Sequence, residues 1–147
     1  MAHLHLFTLG APLLLTAAGE QVKFRTRKHF ALLIRLAVES GKRFTRDYLM
    51  DLLWRDVPTH LARHSLAQAL SVLREKVGRE RVLIQRDTVA LPEGTVTADV
   101  FRIDACDVQI RGPFLEGFDV PGAAGFELWK DECRQVGRQR ASHDPAI

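Results

Sequence analysis

An α+β fold is predicted by three features of this sequence. Short apolar runs broken by Gly and Pro fill the first 24 residues, three helical periods follow between residues 26 and 77, and a hairpin pattern occupies residues 82–91. The order strands, helix, helix, turn, helix, hairpin is that of a winged helix-turn-helix.

The strands come first. Leu4–Leu9 approaches the alternation of a half-buried strand, and Gly10-Ala11-Pro12 turns the chain into a second strand at Leu13–Leu15. Ala18-Gly19-Glu20 is a further turn, and Val22–Phe24 is expected as a third strand of an N-terminal antiparallel sheet. Thr26 then caps a helix whose apolar positions 30, 33, 34, 37 and 38 share one face, with Ser40-Gly41 as its stop. Thr45 caps a second helix, carrying Tyr48, Leu49, Leu52 and Leu53, that ends near Trp54, expected in the core. Val57-Pro58-Thr59 connects to a third helix from about His60 to Val77, ended by Gly78. Val82–Gln85 and Thr88–Leu91 flank the two-residue turn Arg86-Asp87, and Val96–Val100 is expected as an edge strand. Beyond it, a short helix is expected at Phe101–Ile110, a Gly- and Pro-rich loop at Gly112–Gly125, a helix at Phe126–Arg138 and a frayed tail from Arg140.

Charge is unevenly distributed. Residues 1–92 hold 15 Lys/Arg against 8 Asp/Glu, a net +7, whereas residues 93–147 hold 6 against 10, a net −4. A basic front half suits a polyanionic partner. Cys106 and Cys133 stand far apart without CxxC spacing, so neither a disulfide framework nor a structural zinc site is expected. The apolar stretch Ala11–Ala18 lacks a basic region before it and is interrupted by Pro12, so no signal peptide or membrane span is expected and the cytoplasm is the expected location.

Several strings resemble one family. Arg25–Ala37 (RTRKHFALLIRLA), Leu49–Trp54 (LMDLLW) and Ala62–Arg74 (ARHSLAQALSVLR) resemble the three helices of the Streptomyces antibiotic regulatory protein (SARP) family. The opening LHLFTLG resembles that family's start, and Phe114–Pro121 (FLEGFDVP) with Phe126–Trp129 (FELW) resembles the entry to its bacterial transcriptional activator domain. The resemblance covers about residues 4–138. It implies an OmpR-like winged helix at residues 1–100 and, at residues 101–147, the start of an all-helical activator domain, shorter here than in the family. It also implies a DNA-binding transcriptional activator that binds double-stranded DNA, with two copies side by side on direct repeats as a homodimer, and that contacts RNA polymerase. Family members often carry Arg where Ala67 and Val72 stand, which predicts weaker phosphate contact or a different site read.

Phasing the third helix on Leu66 puts Ala62, Leu66, Ala69, Leu70, Leu73 and Val77 on one face. The opposite face holds His60, His64, Gln68, Ser71 and Glu75, with Arg63 and Arg74 on a flank. Base-edge reading needs such short or planar hydrogen-bonding groups: Gln pairs bidentately with adenine, Arg with guanine, and Ser donates or accepts. Arg63, His64, Gln68 and Ser71 are therefore the candidate base contacts. Arg25, Arg27, Lys28, Arg43, Arg46, Arg55, Arg74, Arg86 and Thr88 are the candidate phosphate contacts, with Arg86 at the hairpin tip also suited to the minor groove.

An enzyme is not expected. His60 and His64 have an i, i+4 spacing that zinc can use, but the residues between them are Leu-Ala-Arg, without the Glu of HExxH, and no third ligand is evident. No GxSxG, Walker loop or GxGxxG is present, and no cofactor is implied. The acidic residues of the tail read as a solvated face. The rival to a DNA-binding reading is a protein-interaction module on the same scaffold.

Overall fold

The computed structural model describes residues 4–99 and 112–142. The helix expected at residues 101–110 lies outside the described residues, as do residues 143–147 of the tail expected from Arg140, whose first residues instead belong to the last helix, which runs to Ser142.

Strand β1 (Leu4–Phe7) turns Leu4 and Leu6 inward and pairs antiparallel with β2 (Leu13–Thr16), with His5 opposite Leu15 and Leu6 opposite Leu14. A turn at positive-φ Gly19 follows, where Thr16 N–H donates to Glu20 O at 2.8 Å. Val22–Phe24 does not continue as a strand. A bridge from Gln21 to Leu15 and one bond from Val22 N to Leu14 O (2.8 Å) end the pairing, and the chain leaves so that Phe24 stacks on Phe30 at 5.2 Å. The other side of β1 is filled by β6 (Val96–Ala98), which runs parallel to it. The front sheet, expected as antiparallel, is therefore mixed, in the order β2-β1-β6.

Asp99 fastens this junction. Its carboxylate accepts from Thr8 N (2.7 Å), Thr8 Oγ1 (2.6 Å) and Leu9 N (3.0 Å), and the residue is only 8% exposed. Asp99 therefore departs from the solvated face expected of the acidic tail, because strand pairing carries it to two amides that have no ladder partner.

Helix α1 (Arg27–Val38) begins where Thr26 Oγ1 accepts from His29 N at 3.2 Å. Every residue from Ala31 to Val38 is buried, so α1 is the central element on which the other layers pack. A two-residue strand β3 (Phe44–Thr45) follows, and Thr45 Oγ1 caps α2 (Arg46–Trp54) by accepting from Tyr48 N at 3.0 Å. Helix α3 (Thr59–Val77) starts after Pro58 and stops at Gly78, whose φ of 117° is cheap for glycine. A 3₁₀ turn (Arg79–Arg81) leads into the hairpin β4 (Leu83–Ile84) and β5 (Thr88–Ala90). The hairpin's β5 also pairs with β3, giving a second sheet in the order β3-β5-β4.

The Gly- and Pro-rich segment from residue 112 is irregular but anchored. Leu115 N donates to Thr8 O (2.7 Å), and the Arg134 guanidinium donates to Phe114 O (2.7 Å) and Leu115 O (3.0 Å). Helix α4 runs Ala124–Ser142, starting before Phe126 and continuing past Arg138. Phe114, Leu115, Phe118, Val120, Ala123, Phe126 and Trp129 join the same core as α1, α2 and α3. Each Phe, Leu or Val side chain among them contributes about 1.5–3 kcal/mol by leaving water. Gly125 lets α4 approach α2, since a Cβ there would lie 2.9 Å from Leu52 Cα. Arg35, 5% exposed, lies against the rings of Trp129 (4.6 Å), Phe44 (4.7 Å) and Tyr48 (5.4 Å) and bonds Tyr48 Oη and Glu39. One buried cation thus links α1, β3, α2 and α4.

Candidate nucleic-acid interface

The two faces of α3 are cleanly separated. Ala62, Leu66, Ala69, Leu70, Leu73 and Val77 are buried, as the phasing on Leu66 predicts. His60, Arg63, His64, Gln68, Ser71 and Glu75 are exposed. Burial of the apolar face fixes the helix axis and rotation, so the polar groups are presented from a rigid element rather than a loop.

The C-terminal half of α3 borders a concavity of about 600 Å³. Ala67, Leu70, Ser71, Arg74 and Glu75 of α3, Arg46 of α2, Arg79 of the 3₁₀ turn and Ile84 of the hairpin line it. These elements meet for identifiable reasons. Arg46 N donates to Asp87 O at 2.9 Å, which ties the start of α2 to the hairpin turn. Pairing of Phe44 with Val89 and Thr45 with Thr88 holds β3 alongside the hairpin. Among the described residues, Arg46 Nε and Arg74 Nε are buried there without a hydrogen-bond partner.

The candidate phosphate contacts separate into two groups. Arg46 and Arg74 line the concavity, Thr88 stands half-buried beside Thr45, Arg86 is exposed at the hairpin tip, and Arg43 is exposed just before β3. The second group surrounds the start of α1 and the end of α2. Arg27 donates to Asp119 O (3.2 Å), Arg55 pairs with Asp51 (3.1 and 3.0 Å), and Lys28 Nζ sits 5.8 Å from the Trp54 ring centroid. Burial lowers the Lys28 ammonium pKa, opposed by the charge of Asp56, whereas the Asp51 carboxylate raises that of Arg55. Arg25 is exposed nearby in sequence. Arg27 and Arg55 are thus engaged within the chain.

Sequence reasoning missed Arg79. It follows the helix stop at Gly78, where no helical period marks which side it faces. It also missed Arg35, whose place among three rings depends on α4 arriving from far along the chain. Trp54 is buried, with Lys28 above it, in keeping with its expected core role. Among the described residues, no three His, Cys, Asp or Glu side chains converge as metal ligands would. No helix among them is long and apolar enough to cross a membrane.

No protein-family model matches this sequence, and neither does any curated protein. Among solved structures, EmbR of Mycobacterium tuberculosis in complex with a low-affinity phosphopeptide superposes on 97% of the chain, with a TM-score of 0.75 and 21% identity. The chain shares its fold with that part of EmbR. It spans 44% of the length of EmbR. The likeness is one of backbone path, and among the described residues this chain has a mixed α+β arrangement of four α-helices and small sheets.

Proposed function

We propose that the chain is a sequence-specific DNA-binding transcriptional regulator, an activator and not an enzyme, with residues 1–100 as its DNA-binding domain and residues 101–147 as the start of a helical activator domain. The observation that carries this reading is the exposure of Arg63, His64, Gln68 and Ser71 on α3 above a fully buried apolar face. In the proposed complex α3 lies in the major groove, where Gln68 and Arg63 offer bidentate donors and acceptors to purines, and His64 and Ser71 offer single bonds. The hairpin at residues 82–91 acts as the wing, with Arg86 at the backbone or in the minor groove. Arg43, Arg46, Arg74 and Thr88 contact the phosphates beside α3. Arg25, Arg27, Lys28 and Arg55 contact a more distant stretch of backbone, with Arg27 exchanging Asp119 O and Arg55 exchanging Asp51 for phosphate oxygens.

A mobility-shift titration across salt concentrations tests the proposal. Each neutralised phosphate contributes a slope of about −0.9 in log K against log salt. A protein-interaction module predicts no salt-dependent duplex binding at all. Two further parts of the proposal rest on the resemblance to the SARP family. Two copies occupy direct repeats, which a footprint confined to one half-site at saturation contradicts. The bound protein recruits RNA polymerase, which unchanged transcription in vitro contradicts.

A further inference from the structure

We infer that the concavity between α3 and the hairpin is a preformed seat for a single phosphate oxyanion, held by Arg46, Arg74 and Arg79. The inference rests on the DNA-binding reading for its physiological ligand, a phosphodiester of the duplex backbone. It adds Arg79 and a defined stoichiometry of one phosphate.

Three observations carry it. Three guanidinium groups from three separate elements line one hollow of about 600 Å³, ample for a phosphate and its water. Two of them have Nε–H groups buried without an acceptor among the described residues, a standing cost that a multidentate oxyanion removes. Among the described residues, ion pairs engage Arg35, Lys42, Arg55 and Lys130, for example, and none of the three lining arginines. Arg46 and Arg74 are half-buried, so they lose little side-chain freedom on binding. Glu75 is the one carboxylate on the rim and opposes the anion. Leu70 and Ile84 supply an apolar wall that strengthens the remaining charge contacts. A duplex strand passing between α3 and the hairpin brings a phosphate to this position. Because the seat spans α2, α3 and the hairpin approach, its occupation sets the register of Gln68 and Ser71 against the bases.

The test uses the full chain with two ligand sources, a random-sequence duplex and inorganic phosphate. Nitrogen-15 NMR of the arginine Nε–H groups reports on the seat directly. Both ligands are expected to move the Arg46 and Arg74 signals, and Lys23→Gln is expected to leave those shifts unchanged. Arg79→Gln is expected to reduce the duplex salt slope by about 1. Glu75→Gln is expected to raise duplex affinity about fivefold, the effect of removing one partly screened like charge. Circular dichroism verifies that each variant is folded. Duplex binding with a steep salt slope, still Nε–H signals and unaltered Arg79→Gln and Glu75→Gln affinities overturns the seat and leaves the DNA-binding reading standing. Signals that move with phosphate, in a protein that does not bind the duplex, support the seat for free phosphate and remove the DNA-binding reading. Signals that move with neither ligand overturn the seat.

Discussion

Asp99→Ala removes the acceptor for three donors at once. Two of them, Thr8 N and Leu9 N, are backbone amides fixed by the strand geometry, at 2.7 and 3.0 Å from the carboxylate. Leaving a buried donor unsatisfied costs about 1–3 kcal/mol. Two amides therefore cost roughly 2–6 kcal/mol, while the Thr8 hydroxyl can rotate toward another acceptor. A loss near 4 kcal/mol is a large share of the ~5–15 kcal/mol that stabilises a typical domain. At about 2–4 °C per kcal/mol for a chain of this size, the midpoint should fall by roughly 10 °C. Asp99→Asn keeps one acceptor oxygen but sets an amide NH₂ against a donor, so it should lose about half as much. Urea unfolding followed by circular dichroism measures both. The reasoning is refuted if Asp99→Ala stays within about 0.5 kcal/mol of the parent, the range of ordinary surface substitutions.

Gly125→Ala forces a methyl to 2.9 Å from Leu52 Cα and 3.1 Å from Leu52 O, both backbone atoms, so α4 must shift off α2. A loss of about 1–3 kcal/mol is expected by thermal unfolding, and an unchanged midpoint contradicts the close approach. Burial pushes the Cys133 thiol up to about 11 from 9.0. In a Cys106→Ser background, Cys133 should therefore react with maleimide more slowly than a free thiol at pH 8, and at the free rate once unfolded. The folded protein holds this proton to higher pH than the unfolded chain does, so stability should decline as pH rises from about 9 toward 11. Stability that rises across that window contradicts the assignment.

The helices were legible because each carries its own local signals. The caps Thr26 and Thr45, the stop at Gly78 and the six-residue apolar face of α3 all lie within a few residues of what they determine. The pairings that close the fold were not legible. Strand β6 joins β1 across some 90 residues of chain, and periodicity carries no information about such a partner. Val22–Phe24 has strand composition, yet Phe24 finds a better partner in the Phe30 ring than in a ladder. Strand β3 is two residues long and exists only because the hairpin reaches it. The exposed face of α3 could be drawn from sequence alone, whereas the concavity could not: Arg79 enters it only because Gly78 turns the chain at a positive φ. Asp99 and Arg35 read as surface charges in isolation, and each becomes buried through contacts made far along the chain.

The most direct examination of the central claim is competition binding between a duplex selected from a random pool and a scrambled duplex of the same composition, for the parent and for Gln68→Ala. The parent should prefer the selected duplex by at least about tenfold, and Gln68→Ala should lose most of that preference while keeping its far-ultraviolet spectrum and its salt-dependent affinity for the scrambled duplex. Equal affinity of the parent for both duplexes, or an unaltered preference in Gln68→Ala and His64→Ala alike, would mean that the exposed side of α3 does not read DNA.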